Sequence, residues 1–116
     1  MSRDRRKYRR VAAGVRVLYC GTQVERATRE YLEGIAQDLS LGGLFLETRR
    51  PLPKGTLVDL DFLIEEAGQS AEPVHARAIV RWRNRFFGRR GMGVEFVDVE
   101  GLGQQRLESW VERVLE

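Results

Sequence analysis

Six short segments of this chain carry the two-residue period of a β-strand, and turn-forming residues separate them. They are Val11 to Tyr19, Tyr31 to Asp38, Leu44 to Thr48, Leu57 to Ile64, Val74 to Trp82 and Met92 to Val97. The alternation is cleanest at LVDLDFLI, where Val58, Leu60, Phe62 and Ile64 form the candidate core face and Leu57, Asp59, Asp61 and Leu63 the other. Val74, Ala76, Ala78 and Val80 likewise oppose His75, Arg77, Ile79 and Arg81. From Leu102 the period changes: Leu107, Trp110, Val111, Val114 and Leu115 follow the i, i+3, i+4, i+7, i+8 spacing of one helical stripe, with Asp98 the candidate N-cap. Six strands and one helix predict a mainly β domain, a small antiparallel barrel or sandwich. An open sheet of this size leaves edges exposed, so closure into a six-stranded barrel is the expected form. The helix, about residues 100–115, must lay its stripe on that barrel or on a second subunit.

Charge divides the chain unevenly. Residues 1–10 hold six basic groups and one acid, a charge of +5, while the remaining 106 residues hold 14 basic and 16 acidic groups, or −2. Residues 1–10 therefore read as a flexible basic arm, and residues 11–116 as the barrel with its helix. No apolar run is long enough for a membrane helix, and the N-terminus lacks the apolar core of a secretory signal, so the expected compartment is the cytoplasm.

Enzyme chemistry finds little purchase. His75 is the single histidine and sits on the polar side of a strand. Cys20 is the single cysteine, which excludes an internal disulfide and a cysteine-based zinc site, and it reads as a small packed thiol. Asp59 and Asp61 share a strand face, which suits a carboxylate pair but equally a solvated wall. There is no Walker loop and no dinucleotide fingerprint. Catalytic residues, metal ligands and cofactors are therefore not expected.

Two segments stand out: RRKYRRV at 5–11 and DLSLGG at 38–43. In an extended arm Arg6 and Arg10 project to the same side, and two guanidinium forks can grip phosphate or the O6/N7 edge of guanine. In the second segment Asp38 can accept from the N1 and N2 donors of guanine, Ser40 can bond a phosphate or ribose, and the glycines admit close backbone approach. Taken singly, the first is also a solubilising tail and the second an ordinary turn.

Together, in this order and spacing, with LFLET following and GMGVEF at 91–96, they resemble the PilZ domain, a bacterial receptor module for cyclic di-GMP, over nearly the whole chain. The family pattern is RxxxR leading into the first barrel strand, then DxSxxG. Because Val11 opens the strand, Arg6 and Arg10 take the first motif. The resemblance implies ligand roles for Arg6, Arg10, Asp38 and Ser40, with Gly43 shaping the turn. It implies that Arg5, just before the motif, helps hold a stacked, intercalated pair of ligands. Trp82 is similar to a tryptophan that lies against a purine in some relatives; a barrel-wall contact is the other reading. Arg81 and Arg83 flank it.

The mechanism so implied is an adaptor. Cyclic di-GMP would draw the arm across the barrel and create a new surface for a separate partner protein, with motility, adhesion or polysaccharide secretion machinery as the usual family contexts. Two alternatives stand beside it: a PilZ-like interaction module without ligand, and a small nucleic-acid-binding barrel. Both motifs are intact, against the first. The body charge of −2 speaks against the second, although Arg77 to Arg90 holds six arginines without an acid, with Phe86 and Phe87 inside the run. The sequence leaves a homodimer open.

Overall fold

One face of every strand is apolar, and closing the sheet on itself buries all six faces at once. The computed structural model describes residues 10–64, 72–84, 88 and 90–115. Its strands are β1 (Val11–Gly21), β2 (Leu32–Leu39), β3 (Gly43–Glu47), β4 (Leu57–Ile64), β5 (Glu72–Asn84) and β6 (Gly91–Val99), followed by the helix α1 (Gly103–Leu115). They form a closed antiparallel barrel in the order β1-β2-β3-β6-β5-β4, with β4 returning to β1. Every strand thus has two neighbours, and no edge is left to template aggregation.

The interior is the expected set. Val58, Leu60, Phe62 and Ile64 point in from β4, and Val74, Ala76, Ala78 and Val80 from β5. All but Ala76 meet Val17, Tyr19, Leu44, Leu46, Met92 and Val94 in one core. On the outer wall polar side chains meet across the ladder. Asp59 stands opposite Arg77 and forms an ion pair with it, and Asp61 stands opposite His75 and is hydrogen-bonded to its Nδ1. Arg29 adds a second guanidinium to Asp59 at 2.8 Å, so both carboxylates are spent on neighbours. Cys20 is buried, as a packed thiol would be.

The helix docks on its own barrel, against β5, β1 and β4. Leu107 and Val111 are buried in the core, Trp110 packs at its margin, and Val114 and Leu115 stay exposed. Gly103 admits the close approach: a Cβ there would stand 3.2 Å from Val74 and Val99. Asp98 is not the N-cap. Strand β6 runs on to Val99, and its ladder seats Asp98 opposite Arg77. The chain turns afterwards, with Gly103 N–H donating to the Glu100 carbonyl at 3.0 Å. No helix among the described residues is long and apolar enough to cross a membrane.

A buried polar cluster ties β1 to the end of β3. Tyr19 Oη lies 2.7 Å from Thr48 Oγ1 and donates to the Arg50 carbonyl at 2.8 Å. Burial pushes the Tyr19 phenol above its ordinary value, and the Thr48 hydrogen bond and Arg50 offset only part of that rise. The folded protein thus favours the neutral phenol, while the unfolded chain ionises near pH 10. Tyr19's contribution is therefore intact below about pH 10 and is lost as pH rises beyond it. Urea unfolding at about pH 8 and pH 10.5 should show an alkaline loss in the wild type that is smaller in Tyr19→Phe.

Candidate functional site

Two β-bulges decide which side chains reach the outer wall beside the DLSLGG turn. On β2, Gly34 and Ala36 face inward, and strict alternation would send Asp38 inward too. Ala36 pairs with Leu46 but Asp38 with Phe45, so Gln37 is an extra residue and Asp38 turns out. On β5, Val80 pairs with Val94 but Trp82 with Gly93, so Arg81 is the extra residue. Without it the indole would follow Val74, Ala76, Ala78 and Val80 into the core.

The result is one lateral row across five strands: Ala12, Asp38, Phe45, Gly93 and Trp82 are successive ladder partners. Arg10 Nη1 donates to Asp38 Oδ1 at 2.5 Å, and the Phe45 N–H donates to the same oxygen at 3.1 Å. Trp82 leans over Gly93 and stacks on Phe45, with ring centroids 5.3 Å apart and planes 9° from parallel. Gly93 is the seat of that stack, because any Cβ there would strike the indole, including Cε2 at 2.5 Å. Gly91 does the same for Phe45, whose Cζ would lie 2.8 Å from an added Cβ. The other side of the plate is open, and Trp82 remains 45% exposed.

The DLSLGG turn stands next to this row. Ser40 is 3% exposed. Its Oγ accepts from the Gly42 and Gly43 N–H groups at 3.1 and 3.2 Å, and it lies 3.2 Å from the Gly43 carbonyl. The hydroxyl is thus engaged in the turn itself. Gly43 is needed for proximity, since a Cβ would press on the Val94 carbonyl of the neighbouring strand.

Of the residues marked from the sequence, Arg10, Asp38, Ser40, Gly43 and Trp82 come together on this wall. Arg5 and Arg6 lie outside the described residues, as do Phe86 and Phe87. Arg81 faces out and pairs with Glu95 at 2.7 Å. Phe45 and Gly93 lie within LFLET and GMGVEF, but joining them to Asp38 and Trp82 requires the two bulges. Among the described residues no group of three or more acidic, histidine or cysteine side chains could hold a metal ion.

Fold and site together define a helix-capped β-barrel that presents an arginine–carboxylate pair beside an aromatic plate. The chain matches the PilZ domain family over residues 4–113 and belongs to it. No curated protein sequence matches it. Among solved structures it is similar to the Bacillus subtilis inhibitor of motility MotI/DgrA, at 20% identity and a TM-score of 0.75. That match covers 97% of this chain but 52% of the other, so the chain spans about half the length of that relative. It is also similar to the PilZ domain of YcgR from Escherichia coli, solved with c-di-GMP, at 20% identity and a TM-score of 0.64, covering 95% of this chain and 94% of that one. A third similar structure is the PilZ domain of CeSA from a cellulose-synthesizing bacterium, at 20% identity and a TM-score of 0.57, covering 93% and 99%.

Proposed function

We propose that this PilZ domain is a cyclic di-GMP receptor that acts as an adaptor rather than a catalyst. The observation that carries the reading is the Arg10–Asp38 pair set beside the open Phe45–Trp82 plate. A guanine laid on the exposed indole face gains roughly 1–3 kcal/mol of stacking. Asp38 accepts from its N1 and N2 donors, and the Arg10 fork takes its O6/N7 edge or a phosphate. Ser40 serves by holding the turn that carries Asp38, and Gly43 by letting β3 approach β6. That a similar PilZ domain was solved with c-di-GMP supports the ligand class.

Arg5 and Arg6 add guanidinium groups from the basic arm. With Arg5 directly before the RxxxR stretch, the ligand is taken as an intercalated pair. Ligand phosphates give the like-charged arm a common target, order it against the barrel, and change the surface offered to a separate partner protein.

Calorimetric titration of cyclic di-GMP into the wild type, Arg10→Ala and Asp38→Ala tests this. The wild type is expected to bind at micromolar or tighter affinity, about 8 kcal/mol, and each variant to lose roughly 100-fold. A stoichiometry of two supports the intercalated pair, and a value of one removes it. A folded wild type that gives no heat overturns the receptor reading.

A further inference from the structure

Beyond the ligand wall, a groove of about 960 Å³ opens where β3 leaves the barrel, at the end opposite the helix. Its floor is apolar, with Leu32, Gly34 and Ile35 from β2, and its rim carries Arg49, Arg50 and Arg90. All three arginines are exposed and make no ion pair with any described residue. Two glutamates also line the groove, but their carboxylates are already engaged. Glu33 is held by both arms of the Arg16 fork at 2.7 and 2.9 Å. Glu47 accepts from Gln37 Nε2 at 2.5 Å, a neutral amide that leaves its charge in place. Three guanidinium groups against that one carboxylate leave the groove net positive.

The arginine-bearing backbone is rigidly mounted. The Arg50 N–H donates to Thr48 Oγ1 at 3.2 Å, and its carbonyl accepts from Tyr19 Oη. The Thr48 N–H donates to the Arg90 carbonyl at 3.0 Å, which ties the two stretches together. Leu52 N–H approaches Met92 Sδ at 3.4 Å just beyond. Thr48 and Tyr19 are both buried. The arginine side chains thus spring from a backbone held by these bonds, and presenting them requires no backbone ordering.

We infer that this groove is a docking surface for an acidic segment of a partner protein, with its carboxylates on Arg49, Arg50 and Arg90 and an apolar side chain on the Leu32–Ile35 floor. Charge complementarity selects the occupant. The barrel is closed, so the partner cannot add a strand and must be read through side chains. A nucleic acid fits less well. Among the described residues no exposed aromatic ring lines the groove for base stacking. The inference does not depend on the ligand reading, because none of these residues belongs to the Arg10–Trp82 wall.

The test is amide chemical-shift mapping on the full chain. It is titrated with a peptide of alternating glutamate and leucine and, separately, with a single-stranded oligonucleotide of equal charge. Saturable shifts from the peptide are expected at Leu32–Ile35 and Thr48–Arg50. Arg49→Glu/Arg90→Glu should weaken the peptide at least about tenfold at an unchanged thermal midpoint. If charge reversal impairs folding, Arg49→Gln/Arg90→Gln serves in its place. Unchanged affinity in the folded variant, shifts centred elsewhere, or tighter binding of the oligonucleotide in the groove each overturn the proposal.

Discussion

Gly43→Ala is expected to destabilise the domain by about 3 kcal/mol, the upper end of overpacking costs, and to lower its melting midpoint by roughly 15 °C. The added methyl has nowhere to go. It would press on the Val94 carbonyl and stand 3.1 Å from Glu95 Cα, both backbone atoms of β6. No flexible side-chain end is present to yield. Relief requires β3 and β6 to part where Gly43 pairs with Glu95 and Leu44 with Val94, and the buried Leu44 and Leu46 lose packing with them. The same movement pulls on the Ser40 turn, whose N–H donates to the Gly43 carbonyl at 2.9 Å. Gly21→Ala is the matched control. Its Cβ would meet only Thr56 Cγ2 at 4.0 Å, so a change within about 0.5 kcal/mol is expected. Urea titrations of both variants decide the matter, and equal midpoints would remove the close-approach argument.

Trp82→Ala is expected to weaken cyclic di-GMP by roughly 1–3 kcal/mol, a five- to 150-fold loss, because the guanine loses its plate. Gly93→Ala should act in the same direction while keeping the indole. Its methyl occupies the place where Trp82 lies and forces the ring off Phe45. The two effects can be read separately in a Trp110→Phe background, where Trp82 is the single remaining indole. There Gly93→Ala should change the tryptophan emission, by breaking the stack, as well as the affinity. An unchanged emission spectrum with wild-type affinity would show that Gly93 is not the seat of the plate.

Much of the barrel was legible because it rests on parity. Val58 to Ile64 and Val74 to Val80 alternate without interruption, so their inward faces can be counted off directly. The helix was legible from its stripe, but its start was not. Asp98 looks like a cap in isolation, and only the pairing of β6 with β5 as far as Val99 shows that it belongs to a strand. The site was half legible. Asp38, Ser40 and Gly43 announce themselves as a turn, and Arg10 as the last residue of a basic run. Phe45 and Gly93 do not, because each is an ordinary residue of a short strand until its ladder partners are known.

The sequence by itself determined the elements and the sides of most strands, because hydrophobic burial acts on residues two or four apart and is written locally. It also set the charge contrast between arm and body and the two motifs. Tertiary structure decided where alternation fails. The extra residues Gln37 and Arg81 are defined only against a partner strand, and they turn Asp38 and Trp82 from inward to outward parity. It also decided that Arg49, Arg50 and Arg90 share one ledge, since Thr48 and Arg90 are adjacent through a hydrogen bond across 42 positions of sequence. Registers and close approaches of this kind are properties of pairs of strands, and no single stretch of chain contains them.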